Sequence, residues 1–174
     1  MPVAGRISRI EDGTVTNAKI ADSAGIVSSK LATPGKILQV INAVNTTQST
    51  HSSATAADLL TAAITPSSTS NKILISVFCN GVGKETNNAY MGLRLLRGST
   101  DIALIDHLIG LNGASGTNYI GTSGIMYLDS PSTTSATSYK MQFNSEANNA
   151  TVYINRPNGS NVATSTITLM EIAV

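Results

Sequence analysis

The sequence has little charge and a single cysteine. Only 12% of the residues are charged and the formal net charge is +1, so the chain lacks the positive field that holds nucleic acid phosphates. One cysteine, Cys79, can build neither an intrachain disulfide framework nor a thiolate metal cluster within one chain. Because Cys79 lies in an apolar, β-branched run, we expect an inert buried thiol.

Long apolar runs are also missing. One of the longest, "KILISVF" at residues 72–78, is far shorter than the ~20 residues with which a helix crosses a bilayer. The residues that follow Met1, "PVAGRISRI", lack the apolar core and cleavage site of a secretory signal peptide. We therefore expect no insertion into a membrane and no secretion by the signal-peptide route.

Short β-type runs fill most of the chain from Lys36 onward. They are separated by polar turns and show no convincing helical period. With 174 residues, 41% of them hydrophobic, the chain can form one globular domain and an appendage. The runs cover residues 36–44, 57–65, 72–80, 89–98, 100–110, 119–129, 136–145, 150–156 and 164–174.

Eight or nine short strands without helices predict an all-β fold, in which two antiparallel sheets pack as a jelly-roll-like β-sandwich. An immunoglobulin-like sandwich is less favoured, because the chain has no tryptophan and only one cysteine. The first run, residues 36–44, is apolar on both faces. That pattern is typical of a central strand.

The N-terminal residues have a different organisation. "VTNAKIAD" and "IVSSKLAT" repeat nearly the same phrase at an interval of ten or eleven residues, and "SRIED" gives a partial third copy. Such units cannot bury their apolar residues alone, but three chains wound about one axis would cover them. We predict that residues 1–35 form an extended stem or attachment arm before a head domain at residues 36–174. The candidate axis-lining residues are Ile10, Val15, Ile20, Ile26 and Leu31. A strand-turn-strand arm lying across its own domain is the alternative.

The phrase "DGTVTNAKIADSAGIVSSKLA" resembles repeats found near the shafts of bacteriophage tail fibres and related virion appendages. Three downstream segments, "ITPSSTSNKILI", "GLRLLRGST" and "YLDSPSTTSATSYKMQF", resemble a recurrent module of phage fibre and virion structural proteins. The resemblance implies a homotrimeric virion appendage whose arm contacts other virion proteins.

Three functional hypotheses follow from this resemblance and from the β-domain. The first is a tail fibre or fibre tip that attaches to a glycan or protein of the host surface. The second is a capsid decoration or head-fibre (cement) protein that binds the capsid lattice through its N-terminal arm. The third is a cellular adhesin or lectin module. We favour a location in the virion, on the tail fibre rather than on the capsid surface.

The sequence offers no catalytic constellation. "GVGKET" at residues 81–86 lacks the spacing and the Ser or Thr of a phosphate-binding loop. Asp106 and His107 would point to opposite faces of a strand, which is poor geometry for shared metal or acid-base chemistry. We expect no enzyme activity, no catalytic or metal-binding residues and no cofactor.

Loops rich in Asn, Gly and Ser are the candidate receptor contacts. Such loops offer adaptable hydrogen-bond donors and acceptors to a glycan or a protein, although they can also be ordinary solvated turns. The candidates are Lys84, Asn87, Asn88, Asn112, Ser115, Asn118, Asn158 and Asn161.

Overall fold

The structure, a computed structural model, describes residues 34–86, 89–109, 118–146, 150–158 and 160–174. The chain divides into two units, Met1–Thr33 and Pro34–Val174. The predicted stem residues Ile10, Val15, Ile20, Ile26 and Leu31 lie outside the described residues, so the stem stays a prediction. Within the described part of the chain, no helix is long and apolar enough to cross a bilayer.

The described residues of the second unit form ten β-strands. Their bounds are β1 Ile37–Asn45, β2 Ser49–His51, β3 Ala57–Ile64, β4 Lys72–Lys84, β5 Met91–Arg97, β6 Thr100–Ile109, β7 Asn118–Asp129, β8 Thr137–Ser145, β9 Val152–Ile154 and β10 Ser165–Ile172. The all-β prediction is confirmed. The short strand β2 was not among the predicted runs.

The strands form two antiparallel sheets. The six-stranded sheet has the order β1-β10-β4-β9-β2, with β7 also paired to β4, and the four-stranded sheet has the order β3-β8-β5-β6. Among the eight longer strands the first pairs with the last, the second with the seventh, the third with the sixth and the fourth with the fifth. This nested pairing is the jelly-roll order, so the predicted jelly-roll-like sandwich is confirmed.

Alternate residues of each strand point between the sheets and form one core. Ile75 and Val77 on β4, Leu93 on β5 and Met141 on β8 all belong to this core, and all four are fully buried. Strand alternation places every second side chain on this inner side. Cys79 belongs to the same core, where burial raises the pKa of its thiol to about 12. The prediction of a buried thiol is confirmed.

Two strand predictions are wrong. β1 lies at the edge of the six-stranded sheet instead of at its centre; its inner residues Ile41 and Ala43 pack against the core, while its outer side chains are exposed. Residues 81–84, which fall in the polar turn between the predicted runs 72–80 and 89–98, continue β4. A register shift between Cys79 and Val82 inserts a bulge there, which lets this Gly-containing stretch stay in the sheet.

A buried carboxylate lies at one end of the sandwich and connects the segments that meet there. Glu171 on β10 has no exposed surface and accepts four hydrogen bonds. Its Oε1 accepts from Ser67 N (2.7 Å), Ser67 Oγ (2.8 Å) and Asn71 Nδ2 (2.6 Å), and its Oε2 accepts from Gln39 Nε2 (2.6 Å). These bonds tie the β3–β4 connection to β1 and β10.

Candidate functional site

The outer side of the four-stranded sheet carries a connected set of polar side chains, which we call the polar face. Lys140 Nζ donates to Asp58 Oδ2 (2.7 Å), and the Gln142 amide donates to the other oxygen of Asp58. Arg94 Nε donates to Gln142 Oε1 (3.0 Å) and Arg94 Nη1 donates to Asp101 Oδ2 (3.1 Å). The chain of contacts therefore crosses all four strands, β3, β8, β5 and β6.

Opposite charges on the polar face are matched in pairs. The pKa of Asp58 is lowered, first by the hydrogen bond from Lys140 and then by that from Gln142. Arg94 and Asp101 form an ion pair in which both side chains keep solvent contact. Pairs this exposed contribute little to folding stability, but they hold planar polar groups in fixed directions.

A groove of about 210 Å³ opens beside this network. Its polar lining includes Arg94, Asp101, Asn144 and Glu146. The apolar part of the lining is aliphatic and comes from Ala54, Ala56, Leu93, Ala103 and Leu104. The groove is smaller than the ~300–1,000 Å³ of typical drug-sized pockets, so it suits a single small unit of a larger ligand.

Gly92 on β5 makes room for the polar groups at the groove. A Cβ built there would lie 2.6 Å from Asn144 Oδ1 and would also collide with Glu146 Oε1. Both oxygens occupy the space that a side chain at position 92 would need. A larger residue would therefore displace the amide or the carboxylate.

Glu146 of the groove lining, which follows β8, also contacts His107 on β6. Glu146 Oε1 lies 3.2 Å from His107 Nδ1, and the His107 ring meets Tyr90 edge-to-face with 6.5 Å between centroids. Asp106 does not join them, because its Oδ1 accepts from the backbone N of His107 (2.7 Å) and Leu108 (3.1 Å). The part of the chain that the structure describes holds no cluster of three or more His, Cys, Asp or Glu residues suited to a metal ion.

The predicted receptor-contact residues lie in different environments in the structure. Lys84 is fully buried at the end of β4, with its backbone oxygen accepting from Tyr153 Oη (2.9 Å). The prediction that its side chain lies in an exposed contact loop is wrong, because β4 runs further than expected. Asn118 begins β7. Asn87, Asn88, Asn112 and Ser115 lie outside the described residues.

Asn158 and Asn161 lie in one exposed loop. Asn158 Oδ1 accepts from the backbone N of Ser160 (3.0 Å) and Asn161 (2.8 Å). The backbone oxygen of Asn161 accepts from Gln48 Nε2 (3.0 Å). The Asn158 side chain thus stabilises its own turn, which is the solvated-turn alternative for this residue, while the Asn161 side chain is exposed.

Sequence reasoning missed the groove. Its residues come from β5, β6, the end of β8 with the residue that follows it, and the segment before β3, which are far apart in the sequence and come together only in the folded sheet. The available signal was Gly92, a glycine inside a strand pattern, which often marks a close approach.

Comparisons with known proteins add little to this description. No protein-family model matches the sequence, and a search of curated proteins found no match. The fold is similar to part of a solved structure of infectious bursal disease virus, Gx strain, with a TM-score of 0.38 and 12% sequence identity. The similarity covers 79% of this chain but only 38% of that chain. At this level it carries no conclusion about function.

Proposed function

We propose that this chain is a structural protein of a virion, the head and stem of a phage tail fibre or fibre tip that attaches to a host-surface glycan as a homotrimer. The groove beside Gly92, which has both polar and aliphatic walls, is the observation that carries the attachment role. The chain would contact other virion proteins through residues 1–35.

The chemistry of the groove suits a sugar. Asn144, Glu146, Asp101 and Arg94 supply planar donors and acceptors that match the hydroxyl groups of a saccharide. Aliphatic walls such as Ala103 and Leu104 can cover the C–H faces of a ring. A volume of about 210 Å³ fits one residue of a polysaccharide while the rest of the chain runs over the sheet.

The fold and the N-terminal repeats support the class of protein rather than the ligand. Jelly rolls occur in viral capsid proteins and in lectins, but a fold by itself does not define a function. The resemblance of "VTNAKIAD" and "IVSSKLAT" to fibre repeats favours a trimeric appendage. Three weak glycan sites on one trimer would bind a repetitive surface far more tightly than one site.

Binding to polysaccharides tests this proposal. The full-length chain is applied to a panel of immobilised lipopolysaccharides and capsular polysaccharides from bacteria. Two matched variants separate the groove from the predicted contact loop: Asn144→Ala in the groove and Asn161→Ala in the exposed loop. If a glycan binds in the groove, Asn144→Ala weakens binding about tenfold, the value of one good hydrogen bond, while Asn161→Ala leaves it unchanged.

Each other outcome identifies a different failure. Loss of binding in Asn161→Ala alone would assign the contact to the loop. Absence of binding across the panel would count against a glycan receptor. Gold-labelled antibody to residues 36–174, viewed on virions by electron microscopy, tests the location. Label on the tail supports attachment, label over the head favours capsid decoration, and label on neither contradicts a virion protein.

A further inference from the structure

Twelve positions on the outer side of the six-stranded sheet form a largely apolar surface that contains no charged residue, while the next row along β4 and β10 holds Lys72 opposite Ile172. Strand pairing sets four strands side by side in three rows: Val40, Met170, Leu74 and Leu128; Asn42, Thr168, Ser76 and Met126; Val44, Thr166, Phe78 and Gly124. We call these twelve residues the apolar face. Seven of the twelve carry large apolar side chains and none is charged.

Most of the large apolar side chains on this face are exposed. Met126 keeps 64% of its surface accessible, and Val40, Val44, Phe78 and Leu128 are also exposed. With strands about 4.8 Å apart and same-face residues about 6.8 Å apart, twelve positions cover about 400 Å² of sheet. Seven of these positions are apolar, which is roughly 230 Å² of sheet, and an exposed apolar patch of a few hundred Å² is often functional.

We propose that the apolar face is covered by neighbouring copies of this chain. This inference rests on the proposed homotrimer and assigns the surface through which its head domains associate. The polar face is left exposed to the ligand.

The path of the chain favours a second copy as the occupant. The residues outside the described part end at Thr33, and Pro34 and Gly35 lead directly into β1, which contributes Val40 and Val44 to the apolar face. Gly35 N donates to Ala173 O (2.8 Å) and Ala173 N donates to Lys36 O (2.9 Å). These bonds fix the start of β1 on the sheet. Copies joined through residues 1–33 would have their head domains tethered at the start of this strand.

The composition of the face also favours self-association. Three copies of this face that converge on a threefold axis contact one another through different parts of the face. Since its twelve positions carry no charge, the contact brings together no like charges and buries no unpaired ion there. The area sets a limit, because a standard interface buries about 800 Å² on each partner and the sheet surface supplies only about half of that. The face is therefore too small to hold a dimer alone. Linkage through residues 1–33 would raise the local concentration of the head domains and make a weak face sufficient.

Thiol labelling of the full-length chain tests the proposal. Met126→Cys places a reactive group on the apolar face, and Leu104→Cys places one on β6 of the opposite sheet. The two native side chains are almost equally exposed within one protomer, 64% for Met126 and 65% for Leu104. The native Cys79 is buried and gives little background unless the domain unfolds. The probe is a soluble maleimide, and light scattering measures the mass of each variant.

We expect a trimer in which Met126→Cys reacts about tenfold or more slowly than Leu104→Cys, because its thiol reacts only in the dissociated fraction. Dilution until the trimer separates should bring the two rates together. A trimer with equal rates would overturn the assigned surface but leave the proposed trimer standing. A monomer at every concentration would overturn both. Protection of Met126→Cys only after assembly into virions would assign the face to another virion protein and reject this proposal.

Discussion

The two outer faces of the sandwich differ in chemistry although they cover the same core. The polar face pairs charges and amides across all four of its strands, as in the contacts of Asp58 with Lys140 and of Arg94 with Asp101. The apolar face has no charge among its twelve positions and leaves Met126 and Leu128 exposed. In a sandwich the inward residues must be apolar, whereas the outward residues are free to differ. The outward residues therefore carry the information about partners.

The carboxylates show the same contrast between inside and outside. Glu171 is buried at the end of the six-stranded sheet with four hydrogen bonds, whereas Asp58 is exposed on the polar face and bonds to Lys140 and Gln142. A buried carboxylate depends on every one of its donors, because no water replaces a lost partner. Asp58 can exchange its partners for water at little cost.

Truncating the buried carboxylate should have the largest effect on stability. Glu171→Ala leaves the donors of Ser67, Asn71 and Gln39 without their acceptor, and we expect a loss of about 3 kcal/mol in the free energy of unfolding. The matched change Asp58→Ala on the polar face should cost less than about 1 kcal/mol. Urea denaturation measures both. Equal losses would mean that the hydrogen bonds of Glu171 stabilise this end of the sandwich no more than the exposed contacts of Asp58 stabilise the polar face.

How far the sequence predicts this fold depends on what each pattern reports. Alternation of apolar residues and polar turns predicted the longer strands, and their number predicted a jelly roll. For residues 36–44, alternation indicated that both faces of β1 are apolar, but it cannot say what covers the outer face. Burial of the outer face by a second sheet and burial by a second copy of the chain require the same apolar residues. β1 was therefore placed at the centre when it is at the edge.

The site was harder to predict than the fold. The groove depends on Asn144 and Glu146 lying over Gly92, and this contact exists only once β5 and β8 pair in a defined register. The register of two strands that are far apart in the chain cannot be predicted from a single sequence by alternation alone. The prediction for Lys84 was wrong for a related reason. The polar, Gly-rich residues around it are typical of a loop, but a bulge keeps them inside β4.

A pair of glycines, one on each outer face, gives the second prediction. A Cβ at Gly124 would collide with the backbone oxygen of Val77 on the adjacent strand, while the atoms nearest to a Cβ at Gly92 are at the ends of the Asn144 and Glu146 side chains. Backbone cannot move without disturbing the β4–β7 pairing, but side chains can rotate. We expect Gly124→Ala to cost about 2 kcal/mol and Gly92→Ala less than about 1 kcal/mol.

Thermal and urea unfolding compare the two alanine variants, and the polysaccharide panel adds a functional readout. Gly92→Ala should keep its fold but lose glycan binding, since Asn144 or Glu146 is displaced. If Gly124→Ala is as stable as the unmodified chain, β7 approaches β4 less closely than the structure indicates. If Gly92→Ala binds normally, the groove is not the ligand site.

Acidification gives the smallest expected effect, because only part of the contribution of a carboxylate depends on its protonation. Burial by itself would raise the pKa of Glu171, but hydrogen bonds from Asn71, Gln39 and Ser67 outweigh it and lower the pKa below the ordinary value of 4.5. The folded protein therefore holds this proton less readily than the unfolded chain does. The resulting stabilisation is fully present above the unfolded pKa and is lost as the pH falls through the lower folded pKa.

Glu171→Gln removes this titration and keeps the shape of the side chain. Its stability deficit relative to the unmodified chain should be greatest near neutral pH and should shrink as the pH falls from about 5 to about 3. Asp58→Asn is the comparison on the polar face, where Lys140 and then Gln142 lower the pKa of Asp58 but solvent and salt screen the interaction. Added salt should therefore reduce the acid dependence contributed by Asp58 more than that contributed by Glu171. If the stability deficit of Glu171→Gln stays constant with pH, the hydrogen bonds of Glu171 rather than its charge stabilise this end of the sandwich.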